Sequence, residues 1–138
     1  NKIMNKKLTI LALFLSIVCG AFAEKAKIKT DISIFGVAIS ISDSVVYMTD
    51  MQEIGKVTVE KKTKFLVDRR EYSNQLSEYI SRTGDGRMTT LVSYNLKKKK
   101  AEKRYLKIKE RFIKDGYVVK YITKEEFAFT PVRESEEE

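Results

Sequence analysis

The spacing of apolar residues changes once along this chain, and that change most constrains the fold. From Ile32 to Glu60, apolar and β-branched residues alternate with polar or small ones, a period of two that is typical of β-strands. Between Arg69 and Lys114, two segments instead carry apolar residues at spacings of three and four, which is typical of amphipathic helices. A strand pattern separates these two segments and another follows them. The sequence therefore predicts β-structure first and alternating helices and strands afterwards.

Capping and turn residues delimit the predicted elements. Asp68 followed by Glu71 is a capping-box pattern at a helix start, and Asn95 provides an N-cap for the second helix. Gly116 is a natural stop for that helix, because glycine readily closes a helix in the left-handed conformation. Strands are predicted at residues 32–41, 45–49, 56–60, 88–94 and 117–122, with a brief further pairing at 127–129, and helices at residues 69–82 and 97–114.

These elements predict one α+β domain over residues 31–132, in the order βββαβαβ. The short joints around the second helix are typical of a βαβ unit, whose flanking strands are parallel. We expect a two-layer sandwich, a mixed sheet of about five strands with two helices on one face. Residues 24–30 are expected to form a flexible leader and residues 133–138 a disordered acidic tail. The expected core contains Val37, Ile39, Val57, Leu76, Ile80, Leu91, Tyr105, Ile108, Phe112 and Val119.

One glycine interrupts the first strand pattern. Gly36 breaks the alternation set by Ile32 and Ile34, and it therefore predicts either a β-bulge or a close approach of another segment to the backbone.

The N-terminal segment, residues 1–23, has the pattern of a secretory signal peptide. Two lysines precede an apolar run from residue 8 to residue 18, and Ala21 and Ala23 form an A-x-A cleavage pattern. We expect export to the periplasm or the extracellular space, with no membrane span after cleavage. One alternative is an uncleaved anchor, although a spanning helix needs about 20 apolar residues. The other is a lipoprotein that uses Cys19, although a bulky valine precedes that cysteine.

Composition removes several classes of catalytic site. The chain has no His, and its one Cys lies in the predicted signal peptide, so imidazole bases, thiolate nucleophiles and His or Cys metal ligands are excluded after cleavage. The glycines of Thr83–Arg87 do not have the order of a phosphate-binding P-loop. Glu125 and Glu126 are adjacent, so regular structure would point them in different directions. The sequence predicts a non-catalytic protein without a cofactor or a metal.

The second predicted helix carries the strongest candidate for a functional surface. Between residues 97 and 114 it has ten Lys or Arg residues against Glu102 and Glu110, a local net charge of +8. Cations in the first turn oppose the helix dipole, and like charges four residues apart repel, so stability does not explain this run. The candidate anion-binding surface comprises Lys97, Lys98, Lys99, Lys100, Lys103, Arg104, Lys107 and Arg111.

Two interpretations of this basic helix stay open. In the first, the lysines are a solvated face, and the chain is an exported accessory protein that contacts another envelope protein. In the second, the helix binds a polyanion such as lipopolysaccharide, an acidic glycan or nucleic acid. Nucleic acid is not expected, because no exposed aromatic residues are clearly placed beside the helix and the export signal argues against a cytosolic partner.

Three phrases of the chain resemble those of small uncharacterised secreted proteins of Bacteroidota. They are SIFGVA at Ser33–Ala38, DSVVY at Asp43–Tyr47 and EFAFTPV at Glu126–Val132. The resemblance implies an envelope or extracellular setting, and it brings neither an activity nor functional residues.

Overall fold

The computed structural model describes residues 26–83 and 87–133, and it confirms an α+β fold with a mixed five-stranded sheet and two helices. The predicted signal peptide, residues 84–86 of the predicted glycine-containing loop and residues 134–138 of the predicted acidic tail lie outside the described residues. The elements in chain order are β1 (Lys27–Ser40), β2 (Val45–Thr49), β3 (Gln52–Glu60), α1 (Arg69–Arg82), β4 (Thr89–Asn95), α2 (Lys98–Lys114) and β5 (Val118–Ile122).

The long strand β1 is the centre of the sheet. It begins at Lys27, where it pairs with Glu60 of β3, so part of the predicted flexible leader is a strand. Val37 pairs with Met48 of β2 and with Leu91 of β4, which places β2 and β4 at opposite edges of β1. These pairings are antiparallel, and β5 adds in parallel to the outer edge of β2. The prediction that the strands flanking α2 are parallel is therefore confirmed, with β1 and β2 lying between them.

The two helices lie on opposite faces of this sheet, which differs from the expected placement on one face. Successive side chains of a strand point to opposite faces, and the adjacent residues Ile34 and Phe35 of β1 illustrate this. Ile34 belongs to the cluster that contains Leu76 of α1, whereas Phe35 packs against α2, with its ring centroid 5.0 Å from that of Tyr105. The sheet therefore has a helical layer on each side.

Burial follows from this layering. Every residue from Ile32 to Ala38 is buried, as expected for a strand that is covered on both faces. Leu91, predicted to be in the core, is 53% exposed, because β4 is an edge strand that buries Val92 towards α1 and is left uncovered on its other side at Leu91. The rest of the predicted core divides into buried residues, Val37, Val57, Leu76 and Ile80, and partly buried ones, Ile39, Tyr105, Ile108, Phe112 and Val119.

Gly36 lets α1 and the C-terminal segment lie close to β1. A Cβ atom at this position would lie 2.6 Å from Cδ2 of Leu76 and 3.0 Å from Cζ of Phe129. Pairing with β4 is regular through Gly36, and its N–H donates to the hydroxyl of Thr49 at 2.8 Å. Of the two predicted explanations for this glycine, close backbone approach is confirmed.

Side chains, and not a strand ladder, hold the C-terminal segment on the sheet. The amide of Gln52 donates to the carbonyl of Phe127 at 3.0 Å and accepts from the N–H of Phe129 at 2.8 Å. On α1, Gln75 makes the same pair of bonds to Thr130, at 2.9 and 3.0 Å. The brief strand predicted at residues 127–129 is therefore absent from this described segment, because two glutamine amides take the place of a partner backbone.

Candidate anion-binding site

A basic cavity lies where β4 ends and α2 begins. Its volume is about 590 Å³, and its walls come from the loop before α1, the first residue of α1, the end of β4 and the first two turns of α2. Among the described residues that line it, none is acidic and five are cationic, namely Lys64, Arg69, Lys97, Lys100 and Arg104. A concave surface lined by one sign of charge concentrates ions of the opposite sign, so the cavity favours an anion.

The start of α2 supplies three of the cations. Lys97, Lys100 and Arg104 recur at spacings of three and four, so they share one side of the helix. Ala101 lies between them and is buried, which lets this turn sit close to the sheet. The predicted N-cap, Asn95, instead accepts a hydrogen bond from the N–H of Lys97 at 2.9 Å, and Lys97 is the N-cap residue. The first turn has no acidic residue, so the positive end of the helix dipole adds to the charge of the cavity.

Arg69, the first residue of α1, reaches across to β4. Its Nη2 atom donates to the carbonyl of Val92 at 2.7 Å, and its guanidinium carbon lies 5.5 Å from the centroid of the Tyr94 ring. The hydroxyl of Tyr94 in turn accepts from the N–H of Leu66 at 2.8 Å. These contacts fix the guanidinium and the ring on the cavity wall. A guanidinium has five N–H donors, so the bond to Val92 uses a small part of its donor capacity.

The loop before α1 presents an aromatic ring to solvent. Phe65 is 62% exposed, although its backbone is held in place. Its N–H donates to Oγ1 of Thr63 at 3.2 Å, and its carbonyl accepts from the N–H of Glu60 at 2.9 Å. The neighbouring Lys64 has a φ angle of 63°, and its Nζ atom donates to the carbonyl of Lys61 at 2.7 Å. The Phe65 ring therefore stands on the cavity wall, supported by an ordered loop.

The eight predicted cations are all exposed, but the structure brings three of them, Lys97, Lys100 and Arg104, into the cavity. Lys98 points elsewhere and forms an ion pair with Glu53 at 3.6 Å. The other four, Lys99, Lys103, Lys107 and Arg111, do not line the cavity.

A stripe of cations continues from the cavity along α2. At 3.6 residues per turn, its members fall within about 100° of arc on one side of the helix, and the stripe is about 21 Å long. Near its end, Arg111 forms an ion pair with Asp115 at 3.2 Å. The cationic stripe consists of Lys100, Lys103, Arg104, Lys107, Arg111 and Lys114.

Sequence reasoning missed Lys64, Phe65 and Arg69, which complete the cavity. These residues lie about 30 positions before α2 and meet it only because β4 returns beside the start of α1. One signal was present in the sequence, since Phe65 follows a run of charged and polar residues just before the predicted helix, where a turn would expose it.

The opposite side of α2 has a different character. Lys109 lies with its Nζ atom 5.1 Å from the centroid of the Tyr121 ring, and a hydrogen bond to Tyr121 raises the pKa of Lys109. Leu106 and Ile113 flank this lysine on the helix and are exposed. This side of α2 therefore combines one lysine that contacts a tyrosine ring with two exposed apolar side chains.

The described residues contain no group of three or more acidic, histidine or cysteine side chains that could hold a metal ion. Across the same two ranges, neither helix is long and apolar enough to cross a membrane.

Comparison with known proteins adds no relative. No family model, no curated protein and no solved structure matches this chain. The resemblance to secreted proteins of Bacteroidota therefore stays a prediction, and the basic cavity is the feature that bears on function.

Proposed function

We propose that this chain is a small non-catalytic protein that binds an anionic polymer in the basic cavity and along the cationic stripe. One observation carries the proposal, namely that five cationic side chains and no acidic one line a single concavity within the described residues. Like charges repel, so gathering them costs free energy that a bound anion would recover.

Two features support a binding site over a solvated lysine face. The cations of the cavity come from two distant segments of the chain, the stretch that contains Lys64 and Arg69 and the start of α2, whereas a solvated face needs only one helix. In addition, the exposed side chains of Lys64 and Arg69 are each held by a hydrogen bond to a backbone carbonyl. Ordered donors that converge on one concave surface lose less entropy when a ligand binds than free surface lysines do.

Export and an accessory role remain part of the proposal. They rest on the signal-peptide pattern of residues 1–23, which precede the described residues. An exported protein would meet lipopolysaccharide phosphates, acidic glycans or nucleic acid that has been released from cells.

A second candidate function, contact with another envelope protein, is favoured by a different observation. Leu106 and Ile113 are exposed on the side of α2 that lies away from the cationic stripe, where Lys109 lies over the exposed ring of Tyr121. Apolar and aromatic groups of this kind are typical of the centre of a protein interface.

Charge reversal tests the proposal. We expect the double variant Lys100→Glu and Arg104→Glu to lose at least tenfold in affinity for heparin at low salt, measured by fluorescence titration. The matched control reverses Lys120 and Lys124, which are also exposed but belong to the opposite end of the sheet around β5. The control has the same net charge, so a loss confined to the first variant assigns binding to the cavity. Equal losses in both variants would mean that net charge alone attracts the polymer.

A further inference from the structure

We infer that the polymer bound by the basic cavity is a single-stranded nucleic acid, with one base stacked on Phe65 and its phosphates paired with the cations of α2. This inference rests on the proposed function, because it names the ligand class of the same site.

The ring of Phe65 is exposed on the wall of the cavity. The next residue, Leu66, is the one that enters the core, at 6% exposure. The fold therefore does not need the Phe65 ring, which is left in solvent. The N–H of Phe65 donates to Thr63 and its carbonyl accepts from the N–H of Glu60, so the loop is held without using the ring. An exposed aromatic ring beside converging cations is the combination that single-stranded nucleic acid uses, because every base has a flat face and every link has a phosphate.

The outer edge of β4 pairs with no further strand among the described residues. The carbonyls of Thr90 and Val92 at this edge accept hydrogen bonds from Ser73 and Arg69 of α1, at 2.9 and 2.7 Å. In an antiparallel pair, the outward direction recurs at every second residue, so the N–H and C=O of Tyr94 face the same edge. Tyr94 lines the cavity. A donor and an acceptor on the backbone can therefore reach the edge of a base that is stacked nearby.

The cationic stripe suits a ligand with regularly spaced charges. Its residues advance along α2 in steps of three or four positions, or about 4.5 to 6 Å each. A ligand whose charges repeat along a line can meet several of these cations at once, whereas a free phosphate ion would meet one cluster. A duplex offers phosphates too, but its bases are already stacked and paired, so it cannot cover Phe65.

Lipopolysaccharide fits this geometry less well. It brings phosphates together with acyl chains, which need a broad apolar surface. Among the described residues of the cavity wall, Phe65 is the one large apolar side chain that is mostly exposed. Nucleic acid is not expected from the sequence, because no exposed aromatic residue is clearly placed beside α2. In the structure, the exposed ring of Phe65 lines the cavity together with Tyr94. If the chain is exported as predicted, the bound nucleic acid would be one that is present outside the cytoplasm.

Tryptophan substitution makes stacking directly visible. The chain contains no Trp, so Phe65→Trp introduces a single indole at the cavity wall. We expect a short single-stranded oligonucleotide to quench this fluorescence at saturation, and heparin to bind without quenching. The control is Tyr121→Trp, which places the indole at another exposed aromatic position on the far side of α2 and should show no quenching.

Affinity gives the second readout. Phe65→Ala should weaken binding of the oligonucleotide by about tenfold, with the salt dependence unchanged because stacking is not ionic, and should leave heparin binding unaffected. A duplex of the same sequence should bind more weakly than the single strand. Circular dichroism checks that each variant is folded.

The outcomes separate this inference from the proposal on which it rests. One result would overturn the nucleic-acid inference and leave anion binding in place. In it, heparin or lipopolysaccharide binds through Lys100 and Arg104 and competes equally with the single-stranded oligonucleotide, and the oligonucleotide does not quench the fluorescence of Phe65→Trp. If reversal of Lys100 and Arg104 leaves the affinity for every polymer unchanged, the proposed function itself is wrong.

Discussion

Replacing Gln52 with alanine should destabilise the fold far more than replacing Gln75, although both side chains make the same pair of hydrogen bonds. Each amide donates to one backbone carbonyl and accepts from one backbone N–H of the C-terminal segment. The difference is burial, since Gln52 is 2% exposed and the bonds of Gln75 lie at the surface.

The magnitude follows from that difference. Removing the Gln52 amide leaves the carbonyl of Phe127 and the N–H of Phe129 without a partner in the core. A buried group without its hydrogen bond costs about 1 to 3 kcal/mol, so two such groups predict a loss of about 2 to 6 kcal/mol. Water can replace the amide of Gln75, so the expected loss there is below about 1 kcal/mol.

Urea unfolding monitored by circular dichroism measures both variants under identical conditions. Equal losses for Gln52→Ala and Gln75→Ala, or a loss below about half a kcal/mol for the first, would refute the view that a buried side-chain amide replaces a strand partner for residues 127–129. A threonine or leucine at position 52 should not restore stability, because neither can bond both backbone groups.

Two other variants probe the packing and the charge of the fold. Gly36→Ala should lower the free energy of unfolding, measured in a thermal melt, by about 1 to 3 kcal/mol, because the added methyl would overlap Leu76. A shorter side chain in place of Leu76 should recover part of that loss. Hydrogen bonds from the N–H and hydroxyl of Thr123 lower the pKa of Glu126 below its ordinary value of 4.5, so its stabilising contribution is present above that value and is lost as the pH falls through the lowered pKa. Acid titration of unfolding should therefore show a smaller loss of stability for Glu126→Gln than for the wild type, and identical acid profiles would contradict this assignment.

Local sequence patterns predicted the elements because each depends on residues close together in the chain. The apolar spacing of α2 and the stop at Gly116 needed no tertiary information, and the helix ends at Lys114 as predicted. The face on which each helix packs could not be predicted in this way. The run from Ile32 to Ala38 is apolar or small at nearly every position, so it provides an apolar surface on both sides of the sheet.

The candidate site also has one part that could be predicted from local sequence and one part that could not. The cations of α2 are visible as a run in the sequence, and three of them line the cavity. Lys64, Phe65 and Arg69 belong to a loop and a helix start that meet α2 only through the pairing of β1 with β4. A single sequence contains no local pattern for such a contact, because it depends on the path of the chain through the sheet.

Mapping the contact of a short inorganic polyphosphate by backbone amide chemical shifts tests the central claim most directly. The probe has charge but no base or sugar, so it reports on anion binding alone. If the cavity binds anions, the largest shifts will fall at residues 63–69 and 94–104, they will saturate together, and added salt will reverse them. Shifts of similar size at every lysine-rich segment, including Lys120 and Lys124, would contradict the account and would identify the cations of α2 as a solvated surface.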